Sequence, residues 1–183
     1  MNQRNAQLLN WTPNEALAEV DTVSPQTHIY GMRHFAAGVT VITTSDGEET
    51  AGLTATAVVS VTADPPRLGV FVNKDVYACD KILENGALCV NVLARDQEEV
   101  AKAFACMIKG VEGADRFGYG NWQKLVTGSP ALDGALASFD CRVVDIFEES
   151  SHYAFSCEVL ATRERDDGEA LIYLNGAFRH IPQ

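Results

Sequence analysis

Residues 52–62 read Gly-Leu-Thr-Ala-Thr-Ala-Val-Val-Ser-Val-Thr and set hydroxyls at Thr54, Thr56, Ser60 and Thr62 along a small, apolar stretch. Small side chains let a flat ligand approach the backbone closely, and amides and hydroxyls then meet polar ring edges and phosphate oxygens. A half-buried strand with its hydroxyls turned to water has the same pattern, so both readings stay open at this point. Other sources of chemistry are sparse. No G-x-S-x-G elbow offers a hydrolase nucleophile, and neither the phosphate-cradling G-x-x-x-x-G-K-[ST] nor the dinucleotide G-x-G-x-x-G occurs. Gly118-Tyr119-Gly120 lacks a third glycine at the required spacing. His28, His34, His152 and His180 are scattered, with no H-E-x-x-H, and Cys79, Cys89, Cys106, Cys141 and Cys157 form no C-x-x-C pair. No metal site is expected.

The 183 residues carry 25 Asp and Glu against 14 Lys and Arg, a net charge of −11. Nucleic acid is a poor partner for such a chain, because that affinity comes from neutralising phosphates; an anionic membrane is a poor partner for the same reason. No stretch approaches the ~18 apolar residues that span a bilayer. The first twenty residues lack the apolar core and cleavage site of a secretory signal. Five cysteines, most in apolar segments, point to a reduced, cytoplasmic protein with buried thiols.

The elements that must position any site follow from periodicity and punctuation. Residues 1–26 read as an extension with one short helix, opened by a capping box at Thr12-Pro13-Asn14-Glu15 and ended by Ser24-Pro25. Residues 27–183 form the main domain, beginning with a second short helix over 27–35. Strands are expected at GVTVITT, along GLTATAVVSVTADPP up to its stop at Asp64-Pro65-Pro66, and at RLGVFVN and ALCVNVLA. Helices are expected over 76–85, with Gly86 as its cap, and over 96–105, with acidic residues in its first turn. Residues 107–138 read as a long surface excursion, after which FDCRVVDIFEE, HYAFSCEVLATRE and ALIYLNGAFRHI return to strands. Short strands with few helices predict a mainly β, antiparallel barrel.

Four motifs in register give this chain a family resemblance: Arg33-His34-Phe35 before GVTVITT; GLTATAVVSVTADPP; ALCVNVLARDQEEVAKAFA; and His152 after a turn, with LIYLNGAFRHI as the closing strand. Over roughly residues 29–182 the chain resembles the short-chain flavin reductases, the reductase components of two-component flavin-dependent monooxygenases. The resemblance implies a split antiparallel β-barrel (the FMN-binding split barrel) with a few helices, acting as a homodimer. It implies FMN or FAD as flavin and NADH or NADPH as hydride donor, with reduced flavin passing by diffusion to an oxygenase.

Carried over by matching positions, Thr50, Ala51, Gly52, Leu53 and Thr54 would lie beside the flavin ring, with Thr56 and Ala57 continuing toward its ribityl chain and phosphate. Phe71, Val72 and Asn73 would end the next strand at the flavin. Lys74, Tyr77 and Ala78 would begin the following helical segment, where a helix N-terminus and a lysine make a phosphate site. Ala103 and Phe104 would close the far side. His152 and the turn Leu174, Asn175, Gly176, Ala177 would receive the pyridine nucleotide. The chain departs from the family pattern there: Ser150-Ser151 stand where Gly-Asp is usual, and Leu174-Asn175-Gly176 where Tyr-Arg-Gly is usual. A carboxylate and a guanidinium are thereby removed. Two functions remain in view, an NAD(P)H:flavin oxidoreductase and a flavin carrier without catalysis.

Overall fold

A mostly β-branched run with no charged residue, Thr40-Val-Ile-Thr-Thr-Ser45, forms a buried strand of the computed structural model, which describes residues 12–182. All six residues of this strand, β2 (Thr40–Ser45), are buried. Its two faces serve two cores, as a strand's alternation requires. Val41 packs with Val39, Leu93, Phe104, Leu132 and Leu171; Ile42 packs with Val70, Val72, Leu88, Val90 and Phe155.

Around it run β1 (Ala37–Gly38), β3 (Thr50–Ala55), β4 (Val58–Ala63), β5 (Pro66–Asn73) and β6 (Ala87–Val92). Then come β7 (Trp122–Lys124), β8 (Pro130–Leu132), β9 (Ala137–Glu149), β10 (His152–Glu164), β11 (Ala170–Leu174) and β12 (Ala177–Ile181). Seven strands form one antiparallel sheet in the order β3-β2-β6-β9-β10-β5-β4, and β1-β11-β12 form a second. Three backbone bonds of 3.0 Å, Val39 N–H to Leu171 O, Leu93 N–H to Val39 O and Leu171 N–H to Leu93 O, join the sheets into the expected split barrel. Helices α2 (Tyr77–Asn85) and α3 (Glu98–Phe104) cover it, and Gly86 ends α2 in the left-handed conformation with φ +63°.

The chain divides into two units, Met1–Phe35 and Ala36–Gln183, so the helix expected over 27–35 falls in the first. Within that unit a short 3₁₀ turn, Glu15–Leu17, is capped by Asn14, whose Oδ1 accepts from Ala16 N–H at 3.1 Å. Thr12 does not form the cap. Ser24-Pro25, expected to end a helix, instead begins α1 (Pro25–Met32): the Ser24 hydroxyl accepts from Thr27 N–H at 3.1 Å and proline takes the first turn. That is the usual chemistry of a helix start.

Two further expectations are corrected. GLTATAVVSVTADPP is two strands, broken at Thr56-Ala57, and β3 and β4 occupy opposite edges of the seven-stranded sheet. LIYLNGAFRHI is a hairpin, in which Asn175 (φ +54°) and Gly176 (φ +75°) make the two-residue turn that left-handed residues favour. The excursion over 107–138 is exposed only in part, because Ser129, Pro130, Ala131, Leu132, Ala135 and Leu136 are buried. Buried Asn91 draws them in: its Oδ1 accepts from Leu132 N–H at 2.8 Å and its Nδ2 donates to Pro130 O at 3.3 Å.

Candidate functional site

Strand β3 pairs only with β2, so its outer edge carries backbone groups with no strand partner. That edge forms one wall of a cleft of about 490 Å³. Thr50, Ala51, Gly52 and Leu53 supply the wall, and Tyr77 and Ala78, in the first turn of α2, supply a second side. Phe104 lies beneath, only 2% exposed. It is held edge-to-face on Phe117 at 5.0 Å and tilted on Trp122 at 5.5 Å, and Trp122 fixes itself by donating Nε1–H to Phe117 O at 2.9 Å.

Gly52 is where wall and floor meet. A Cβ there would stand 2.7 Å from Phe104 Cε1 and 2.8 Å from Ile42 O, so only glycine lets the edge strand lie against the ring. Thr54 faces inward: its hydroxyl donates to Ala101 O at 2.7 Å and ties β3 to α3.

Charge is unevenly distributed around the cleft. Glu48 and Glu49 line it from the β2–β3 turn. Glu49 accepts from Tyr77 Oη–H at 2.9 Å and pairs with Lys81 at 3.0 Å, and these two partners hold its carboxyl below the usual range. Lys81 also pairs with Glu84 at 3.0 Å, and the two carboxylates push its ammonium upward. Across the cleft are Cys106, Gly113, Ala114 and Arg116, none of them among the residues expected from sequence. Arg116 follows Asp115 in a short 3₁₀ turn, Gly113–Tyr119, inside the supposed surface excursion, so its surroundings gave no sequence signal.

Of the expected flavin positions, seven line this cleft: Thr50 to Leu53, Tyr77, Ala78 and Phe104. The others lie elsewhere. Val72 and Ala103 are wholly buried in the two cores, and Thr56 and Ala57 sit exposed at the crossing between sheet edges. Phe71 projects outward at 38% exposure. Asn73 spends its Oδ1 on Asp75 N–H at 2.8 Å. Lys74 is engaged by Glu148 Oε1 and Ser150 O, both at 2.6 Å, and stands over the Tyr153 ring at 5.0 Å. Its charge is therefore already balanced, and the phosphate site expected from Lys74 and the helix start is not assembled by these side chains.

His152 is half-buried, opposite Asn73 in the β5–β10 register, and its Nδ1 lies 2.8 Å from Ser151 Oγ. Neither His152 nor the turn over 174–177 lines the cleft.

Cys106 is exposed, with φ +58°, whereas Cys79, Cys89, Cys141 and Cys157 are buried. Burial pushes all four buried thiols up, that of Cys157 to about 12. The native protein is accordingly expected to show one fast thiol with a chromogenic disulfide reagent and four more only in denaturant. Loss of the fast phase in Cys106→Ser assigns it; two fast thiols in the native protein would contradict the burial.

No helix among the described residues is long and apolar enough to cross a membrane, and among them no group of His, Cys, Asp or Glu is placed to hold a metal.

Comparison with known proteins agrees with this architecture. Residues 32–182 match the family model of the flavin reductase like domain. The chain is 44% identical over 142 residues to the FMN reductase (NADH) RutF of Stutzerimonas stutzeri, covering 78% of this chain and 80% of that protein. It superposes with a TM-score of 0.79 on BorF, the flavin reductase component of a bacterial two-component tryptophan halogenase, at 31% identity over 87% of this chain and 99% of the other. The NADH:FAD oxidoreductase SgcE6 of Streptomyces globisporus, solved with NAD and FAD fragments, gives 0.77 at 28% identity, over 87% and 95% of the two chains.

Proposed function

Because this chain belongs to the flavin reductase like domain family, we propose that it is an NADH-dependent flavin reductase that reduces FMN and releases it to a separate oxygenase. The observation that carries the reading is the β3-edged cleft. Its unpaired backbone groups over 50–53 match the alternating donors and acceptors of a flavin's pyrimidine edge, and its small wall and aromatic floor suit a flat ring. FMN and NADH are preferred to FAD and NADPH because relatives 44% and 36% identical to this chain are named FMN reductase (NADH).

The flavin supplies the redox chemistry, taking up a hydride from reduced nicotinamide. The chain's part is to position. The free edge of β3 over 50–53 brings alternate backbone groups within reach of the ring edge, where an N–H donor stabilises negative charge as it grows. Phe104, immobilised by Phe117 and Trp122, fixes the depth of the ring. His152 and the Asn175-Gly176 turn, which do not line the cleft, are assigned to the nucleotide. Ser150 and Ser151 place no charge there, in keeping with a donor held briefly.

We also assign a homodimer. Val59, Val61, Phe71 and Phe147 project from one face of β4, β5 and β9, exposed by 52%, 59%, 38% and 43%. A contiguous apolar face on an edge strand and its neighbours is what a subunit contact covers. Five unpaired thiols support a reducing compartment, the cytoplasm.

Anaerobic stopped-flow mixing of the protein and FMN with NADH or NADPH, followed at the oxidised-flavin absorbance, tests the activity. Bleaching with NADH much faster than with NADPH is expected. Binding of FMN without reduction by either nucleotide would replace this reading with that of a flavin carrier, the role the changed residues around His152 and Asn175 would then explain.

A further inference from the structure

Among the described residues Arg116 is the only lysine or arginine lining the cleft. Among the described residues no carboxylate lies within salt-bridge distance of it, although the chain carries 25 acidic side chains. One terminal nitrogen donates to Cys106 Sγ at 3.2 Å, and Nε is buried without any partner. A half-buried guanidinium left with a thiol as its only partner is costly in an otherwise well-paired protein, and the cost is recovered when an anion binds. Lys74, just past the end of β5, and Lys81, midway along α2, are already engaged by Glu148, Glu49 and Glu84. Glu48, which has no cation partner among the described residues, makes the β2–β3 side of the cleft repulsive to anions. The charged end of a ligand is thereby directed toward the turn over 113–119.

We propose that Arg116 is the anion-recognising residue of the cleft and grips a phosphate ester. The inference rests on the flavin-reductase reading, which offers two sources of that group, the flavin's terminal phosphate and the diphosphate of the pyridine nucleotide. Arg116 sets which flavins are held: with the flavin as source, FMN binds more tightly than riboflavin, which has the same ring and no phosphate. Cys106 keeps the guanidinium in the wall until the anion arrives, and then loses it.

Titration of wild type, Arg116→Gln and Arg116→Lys with FMN and with riboflavin reads the first source, and the KM for NADH reads the second. Loss of an about 10- to 100-fold preference for FMN in Arg116→Gln, partly restored by lysine, is expected. An unchanged preference with a raised KM for NADH supports the same role on the nucleotide. A third readout needs no flavin: inorganic phosphate should slow alkylation of Cys106 by iodoacetamide in wild type and leave Arg116→Gln unaffected, because the anion removes the guanidinium from the thiol. Equal loss of FMN and riboflavin in folded Arg116→Gln, or no change in affinity, KM and alkylation, would overturn the proposal. Wild type that binds neither FMN nor riboflavin would overturn the flavin reading instead, and the phosphate effect on Cys106 would then decide Arg116 by itself.

Discussion

Gly52→Ala is expected to destabilise the protein by about 1–3 kcal/mol and to weaken FMN binding by about tenfold or more. The added methyl would meet Phe104 Cε1 at 2.7 Å and Ile42 O at 2.8 Å. Ile42 O belongs to the central strand and has no freedom to retreat. Phe104 has little more, being wedged between β3 and the rings of Phe117 and Trp122. The strain is therefore relieved by moving β3 or the ring, and both are walls of the cleft. Urea unfolding and fluorescence titration with FMN measure the two effects, with Tm falling by about 2–4 °C for each kcal/mol. Trimming the ring in Gly52→Ala/Phe104→Leu should recover part of the stability, since the two sites touch and their effects do not add. Wild-type stability and affinity in Gly52→Ala would show that β3 does not form the wall described.

Asn91→Leu should cost more, about 3–5 kcal/mol, a large part of the stability of a domain this size. The asparagine is wholly buried on β6 and serves three other strands, β2, β8 and β9. Its amide nitrogen donates to Val41 O at 3.1 Å, to Pro130 O at 3.3 Å and to Thr43 Oγ1 at 3.4 Å. Its oxygen accepts from Leu132 N–H at 2.8 Å and from Ser138 Oγ–H at 2.9 Å. Leucine has similar volume but leaves Leu132 N–H and the Ser138 hydroxyl without their buried acceptor, and β8 is left with the bond that Thr43 Oγ1–H donates to Pro130 O. Chemical denaturation gives the stability difference. A loss under about 1 kcal/mol would mean that packing and the Thr43 bond to Pro130 O hold β8 without the asparagine.

Both predictions rest on residues whose importance is nearly silent in the sequence. Asn91 lies inside ALCVNVLA, where it reads as a polar interruption of a buried strand; the approach of residues 130–138 gives its amide three of its five partners. Gly52 was legible as a small residue beside a ligand, yet the reason for its smallness, the Phe104 ring, comes from a helix some fifty positions later. Lys74 shows the converse. Its position before a helix suggested a phosphate site, but the β9–β10 ribbon brings Glu148 onto it.

The sequence by itself determined the barrel's main strands, both covering helices and the Gly86 cap, because alternation, β-branching and capping act over a few residues. The family resemblance pointed to seven residues that line the cleft, Thr50 to Leu53, Tyr77, Ala78 and Phe104, because its motifs fall on β3, the start of α2 and the end of α3. Tertiary structure alone decided that GLTATAVVSVTADPP splits across opposite edges of one sheet, so that only its first half forms the wall. It also decided that Cys106 and Arg116 face that wall. These outcomes depend on which distant strands pair and on which charges meet, and long-range pairing leaves no local periodicity to read.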